Sequence, residues 1–144
     1  MQIVGEWYLC DGGIERPVIR GEALTADGSW AHVEFLIDSG ADRTVFDAAT
    51  VAVLTLPPVE LSAQPGGLGG MTDAVLIDTQ IRLTEARGGK VVLRGRYAAI
   101  TDPESLDMSV LGRDILGLFA LIVDRPGDLI CLVAAPHRYR VERG

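Results

Sequence analysis

The segment from Trp30 to Ile37 has a period of two: Ala31, Val33, Phe35 and Ile37 fall on one side, Trp30, His32, Glu34 and Leu36 on the other. That is the repeat of a strand with one buried face, and an amphipathic helix does not produce it. Val75 to Leu83, Val91 to Ala99 and Leu129 to Val133 are further β-rich runs, and Pro17 to Thr25 is a weaker one. Turn signals separate them: Asp27-Gly28, Gly88-Gly89, and Arg125-Pro126-Gly127-Asp128. The last suits a type II turn, with Pro second and Gly third. Helix signals are sparse. Asp47 is placed to cap a short helix through Val53, stopped by Pro57-Pro58, and Arg113 to Phe119 reads as another turn or two. The expectation is a single, all-β, mostly antiparallel domain spanning 1–144, with one or two short helices.

A chain of 144 residues is long enough for one domain with its own core. Its 48% hydrophobic and 23% charged residues, with mean hydropathy +0.25, suit a globular fold and not a disordered one. The net charge of −7 argues against a nucleic-acid partner, which is held by basic neutralisation of phosphates. Cys10 and Cys131 are too few for a disulfide framework, and His32 and His137 lack metal-ligand spacing, so no metal and no cofactor is expected. The apolar stretch Ile115 to Val123 is too short to span a membrane. Met1 to Cys10 lacks a basic leader and carries Glu6. The expected location is the cytoplasm, in this chain alone or as a soluble domain of a larger protein.

Three segments are odd for where they sit. The first runs Phe35-Leu36-Ile37-Asp38-Ser39-Gly40-Ala41-Asp42-Arg43-Thr44-Val45-Phe46: a buried strand passes directly into an acid, a hydroxyl residue and a glycine. Gly40 permits a turn that leaves the Asp38 carboxylate at the strand end with few bulky neighbours. The plain alternative is an Asx-turn, Asp38 bonding its own backbone two residues on. The second is Gln64-Pro65-Gly66-Gly67-Leu68-Gly69-Gly70-Met71, a glycine-rich loop able to approach a ligand closely, or else an exposed hairpin tip. It is not a phosphate cradle, since no Lys-Ser/Thr and no helix pattern follow. The third, Met108 to Leu116, takes a short apolar strand through Gly112 into Arg113-Asp114; alone it is a strand-to-helix junction.

In this order the three segments resemble a retroviral-type aspartic protease (retropepsin). Asp38-Ser39-Gly40-Ala41 resembles the catalytic Asp-Thr/Ser-Gly-Ala signature, Gly66-Gly67-Leu68-Gly69-Gly70 the flap tip, and Val110-Leu111-Gly112-Arg113-Asp114 the segment before the family's single helix. The motifs anchor roughly residues 30–133, leaving 134–144 as a C-terminal extension. The long lead before Asp38 and the absence of a flap tyrosine point to a cellular or bacterial member.

The resemblance implies a closed β-barrel of acid-protease type and an aspartic endopeptidase that hydrolyses extended peptides. Its chemistry needs two carboxylates sharing one water, one of them protonated because like charges about 3 Å apart resist joint ionisation. This chain holds one Asp-Ser/Thr-Gly, so the second acid implied is Asp38 of another copy, across a two-fold interface formed by the catalytic loops and terminal strands. Ser39 would bridge the dyad, Gly40 contact the substrate backbone, and Leu68 close over the peptide. Ala41, in place of a hydroxyl, implies a less acidic optimum. Arg113 would pair with Asp42 as a buried brace beside Gly112. The rival expectation is a non-catalytic peptide-binding or assembly module on the same fold. His137-Arg138-Tyr139-Arg140 with Arg143 makes the end basic, most simply a solvated terminus.

Overall fold

The longest period-two runs form the longest strands. A computed structural model describes residues 1–59, 74–136 and 142. In chain order it has β1 (Gln2–Val4), β2 (Glu6–Leu9), a 3-10 turn (Asp11–Gly13), β3 (Glu15–Leu24), β4 (Trp30–Ile37), β5 (Val45–Phe46) and α1 (Ala48–Leu54). After these come β6 (Ala74–Thr84), β7 (Lys90–Ile100), β8 (Ser109–Leu111), α2 (Arg113–Leu116), β9 (Phe119–Asp124) and β10 (Leu129–Ala134). Asp47 caps α1, its carboxylate accepting the Thr50 N–H at 3.3 Å.

Seven strands lie in the order β2-β3-β4-β8-β5-β7-β6, and β3 also pairs with β6. The β3–β6 contact closes a six-stranded ring, so the barrel implied by the resemblance is the observed architecture. Two antiparallel hairpins dominate it. β3–β4 pairs Val18 with Leu36 through Leu24 with Trp30, and β6–β7 pairs Ala74 with Ile100 through Thr84 with Lys90. Joining them are two parallel pairings that the sequence did not suggest, β4 with β8 and β5 with β7. A second sheet, β1-β10-β9, packs against the ring. The chain steps from one sheet to the other at Gly5, whose N–H reaches Ile130 O at 2.9 Å. A Cβ there would stand 2.6 Å from Val18 O, so the crossing requires glycine.

One apolar core spans both sheets, uniting Ile3, Ile130 and Leu132 with Ile19, Phe35, Ile81, Leu83 and Leu111. Phe46 lies at its centre, 5.8 Å from the Phe35 ring and edge-on to Tyr97 at 6.0 Å. A smaller cluster, Val45, Leu76, Ala98 and Ile100, packs separately with Ala74 and Leu106 against it.

Three local expectations are corrected. The helical reading from Arg113 to Phe119 shortens to Arg113–Leu116, and Phe119 instead opens β9. Met1 to Cys10 holds two strands that the sequence reading left unassigned. The Arg125–Asp128 turn is not type II: Asp128, at φ 52°, takes the left-handed conformation, and Gly127 does not. Asp124 accounts for this. Its carboxylate accepts the Gly127 N–H at 2.9 Å, while the turn itself closes where expected, Asp128 N–H donating to Arg125 O at 3.1 Å.

No helix among the described residues is long and apolar enough to cross a membrane.

Candidate active site

β4 delivers Asp38. Ile37 is 7% exposed at the end of that strand, and the next residue emerges half-buried, followed by exposed Ser39 and Gly40. The Asp38 N–H donates to Leu111 O at 3.2 Å, continuing the parallel β4–β8 ladder one residue past the strand. Within the loop, Ala41 N–H donates to Asp38 O at 3.2 Å, and Gly40 N–H to Asp38 Oδ1 at 2.9 Å. The Asx-turn is therefore formed. It engages one carboxylate oxygen, and among the described residues Oδ2 accepts no hydrogen bond.

The loop is clamped from below by the chain leaving β8. Arg113 N–H donates to Ala41 O at 2.8 Å, and Asp114 N–H to Asp42 O at 3.3 Å. Thr44, fully buried, carries the other half of the clamp. Its N–H reaches both oxygens of Asp114, at 2.9 and 3.0 Å, and its hydroxyl donates to Asp114 Oδ1 at 2.7 Å. The same hydroxyl accepts the Gly112 N–H at 3.1 Å. Bonds to an ionised acceptor are the strong ones, so this knot is stiff. A Cβ on Gly112 would overlap the Arg43 carbonyl group, so glycine is what lets the two chain segments touch. Beside the knot, Asp47 and Ser109 join β5 to β8: the Asp47 N–H donates to Ser109 Oγ at 3.1 Å, and that hydroxyl donates to Asp47 Oδ1 at 2.9 Å.

The structure thus brings Asp38, Ser39, Gly40, Ala41 and Asp42 together with Gly112 and Arg113. Asp42 and Arg113 do form an ion pair. The description of that pair as buried is corrected: the two side chains are 56% and 57% exposed, on the solvent side of the loop. Exposed pairs contribute little, about 0–1 kcal/mol, and the backbone bonds and the Thr44 knot carry the bracing. Thr44 and Asp114 are the residues the sequence reading left without a role. The signal was present, a hydroxyl residue entering an apolar strand and an acid directly after Gly-Arg. The flap residues Gly66, Gly67, Leu68, Gly69 and Gly70 lie outside the described residues, as do His137, Arg138, Tyr139, Arg140 and Arg143.

Under the loop, Tyr97 donates its hydroxyl to Leu93 O at 2.8 Å. Burial, with a contribution from the Asp114 charge, pushes its pKa up to about 12.

A closed six-stranded barrel with an Asp-Ser-Gly loop held over a Gly-Arg-Asp crossing is a retropepsin-like fold. The chain belongs to the aspartyl protease family, which matches it over residues 23–115 and so takes in both the loop and the crossing. Among solved structures, a retropepsin-like aspartic protease from Rickettsia conorii superposes with a TM-score of 0.54 at 18% identity, over 92% of this chain and 89% of that one. Basic 7S globulin from soybean gives 0.51 at 12% identity, over 94% of this chain and 50% of that one, so this chain spans half its length. At these identities the likeness is one of fold. A search of curated proteins gives no significant match.

Proposed function

We propose that the chain is an aspartic endopeptidase that works as a homodimer, each copy contributing Asp38 to one site. The observation that carries this reading is a carboxylate presented half-exposed, one oxygen accepting no hydrogen bond among the described residues, on a loop bonded through its backbone to the β8–α2 crossing. A residue serving only its own turn needs no such clamp. The sequence holds one Asp-Ser/Thr-Gly, so a dyad requires a second copy. In the dyad one carboxyl is protonated and the other ionised, and the pair titrates as a unit. The ionised member takes a proton from the shared water as it attacks, and the protonated member polarises the scissile carbonyl.

Ser39, exposed beside Asp38, links the two loops across the dyad. Gly40 presents its backbone to the substrate, and Ala41 supports the catalytic loop. Asp42, Gly112 and Arg113 support the loop, and Gly66–Gly70 with Leu68 cover the bound peptide. The 144 residues act as one domain and as half of a site. The substrate is an extended segment of peptide or protein, bound main chain to main chain.

The test is cleavage of a diverse peptide library, mapped by mass spectrometry, with the wild-type protein beside Asp38→Asn. Losing the base lowers turnover at least about 10²-fold. Equal cleavage by both proteins removes Asp38 from the mechanism. Light scattering across micromolar concentrations tests the dimer: a strict monomer that still cleaves refutes the shared dyad, and a monomer without activity favours a peptide-binding module.

A further inference from the structure

Where the β3–β4 hairpin turns, a cavity of about 730 Å³ opens between its end and the β6–β7 hairpin. Leu24 lines one side and Leu56, from the chain leaving α1, another, while β6 and β7 supply Asp78, Gln80, Arg94 and Arg96. The volume is that of an ordinary small-ligand site. It is remote from the catalytic loop. Leu24 pairs with Trp30 at the start of β4, whereas Asp38 follows the end of that strand. The eight residues from Trp30 to Asp38 span about 26 Å at about 3.3 Å per residue.

Strand register sorts the polar groups of this cavity into two cross-strand pairs. Asp78 stands opposite Arg96 and is bonded to it, Arg96 Nε donating to Asp78 Oδ1 at 2.9 Å. Gln80 stands opposite Arg94, and neither side chain has a hydrogen bond or ion pair among the described residues. A guanidinium beside a carboxamide presents N–H donors from two planar groups, an arrangement that one carboxylate fills. Arg94 and Arg96 against Asp78 leave one net positive charge at the cavity. That matches a carboxylate and falls short of a phosphate group, which carries about −1.5 to −2. Leu24 and Leu56 call for an apolar group next to the acid. The wall is formed in advance, since the Thr79 hydroxyl donates to Leu24 O at 2.7 Å.

We propose that this cavity is a second binding site, taking an acidic peptide segment whose carboxylate meets Arg94 and Gln80 and whose apolar neighbours pack on Leu24 and Leu56. The chain's net charge of −7 disfavours an acidic ligand at long range. Recognition is therefore by contact, because exposed charges beyond about 8–10 Å are screened at physiological salt. The site goes beyond the proteolytic reading and does not rest on it, since it uses no residue of the Asp38 loop.

The test is a site-resolved titration. The full chain carrying Asp38→Asn, so that no peptide is cut, is labelled with nitrogen-15 and followed by backbone amide NMR. The probe is acetyl-Leu-Glu-Leu-amide, beside the Leu-Gln-Leu, Leu-Lys-Leu and Gly-Glu-Gly versions and inorganic phosphate. The amide signals of Leu24, Gln80, Arg94 and Gly95 should shift saturably with the Leu-Glu-Leu peptide, and those of Ser39 and Gly40 should stay in place. The Leu-Gln-Leu peptide should bind about five- to tenfold more weakly, and the Gly-Glu-Gly peptide and phosphate more weakly than Leu-Glu-Leu. Arg94→Gln should bring the Glu and Gln peptides level, Arg94→Lys should keep part of the preference, and Arg94→Glu should turn it toward Leu-Lys-Leu. Arg94 is exposed, and an unchanged spectrum away from the cavity shows that each variant is folded. Shifts confined to the Asp38 loop, equal binding of the Glu and Gln peptides, a preference that survives Arg94→Gln, tighter binding of phosphate, or no saturable shift overturns the proposal. Failure of the catalytic reading shows separately, as equal cleavage by the wild-type and Asp38→Asn proteins, and leaves this comparison intact.

Discussion

Thr44→Val isolates the knot under the catalytic loop, because valine copies the shape of threonine and removes only its hydroxyl. Two bonds go with it: the 2.7 Å donation to the Asp114 carboxylate and the 3.1 Å acceptance from Gly112 N–H. The first is charge-assisted and contributes about 1.5–3 kcal/mol. Losing the second strands a buried N–H, which costs about 1–3 kcal/mol. The two share one hydroxyl and are not independent, so the expected total is about 3–4 kcal/mol, a large part of a typical stability of about 5–15 kcal/mol. Urea unfolding at fixed protein concentration measures it, since a dimer's apparent stability depends on concentration. With m of about 1–3 kcal/mol/M, the midpoint should fall by about 1–4 M at unchanged m. Thr44→Ser is the control: it keeps the hydroxyl, loses one methyl and should cost about 1 kcal/mol. A Val variant no less stable than the Ser variant would refute the claim that this hydroxyl ties the loop to the β8–α2 crossing.

Two further outcomes follow from the same region. Gly112→Ala forces a methyl group into the Arg43 carbonyl, and circular dichroism melts should show a loss of about 3 kcal/mol or more, against about 1–2 kcal/mol for Gly28→Ala, whose left-handed φ in an open turn costs backbone strain alone; if the two variants melt alike, the close approach is not what requires glycine. Tyr97 holds its proton up to about pH 12 in the folded chain against 10.0 for the free group, so the unfolded state ionises first as pH rises. Stability should therefore be intact below pH 10 and fall by about 2–3 kcal/mol toward pH 12, and Tyr97→Phe should flatten that part of the profile, as read from urea midpoints across the range.

What the sequence disclosed follows from how locally each feature is encoded. β4, β6 and β7 carry their period in contiguous residues, and their turns lie within the same stretch, so both hairpins were readable. Asp47 announced α1 because a cap acts within three residues. β1 and β2 were missed because each is only three or four residues long, with Ile3 the single buried side chain of β1. Phe119 was taken into the helix and the rest of β9 left unassigned because Ile115 to Val123 is apolar on every face, and such a run has no period to read. The parallel insertion of β8 between β4 and β5 joins Phe35 to Ser109, and the Thr44–Asp114 knot joins residues 70 apart. The first leaves no local trace, and the second leaves only its two residue types, not their pairing. Asp38 was legible as a residue set apart, and its clamp was not. The Asp42–Arg113 pair was legible as a pair, but whether water reaches it is set by the path of the loop, which residue types do not record.

The ring is closed by very little. β3 meets β6 through three residue pairs, Gly21 with Leu83, Glu22 with Arg82 and Ala23 with Ile81, where the hairpin on one side has seven pairs and that on the other eleven. Each hairpin assembles from residues near one another in the chain, whereas this seam joins positions about sixty apart and must wait for both. Arg82 reinforces it from outside, bonded to Glu22 and lying over the Trp30 ring at 4.1 Å. Gly21 removes the side chain that would keep the strands apart, with Leu83 only 2.8 Å from where its Cβ would be. The topology predicts an order of assembly: the two hairpins form early, and the short joints between them, this seam and the β4–β8–β5–β7 junction, form late. Until the seam shuts, the edges of β3 and β6 stand open, and their unpaired backbone groups are a template for another chain. Crowded nascent chains are then at risk of joining edge to edge, and the speed of that last closure governs how much protein escapes it.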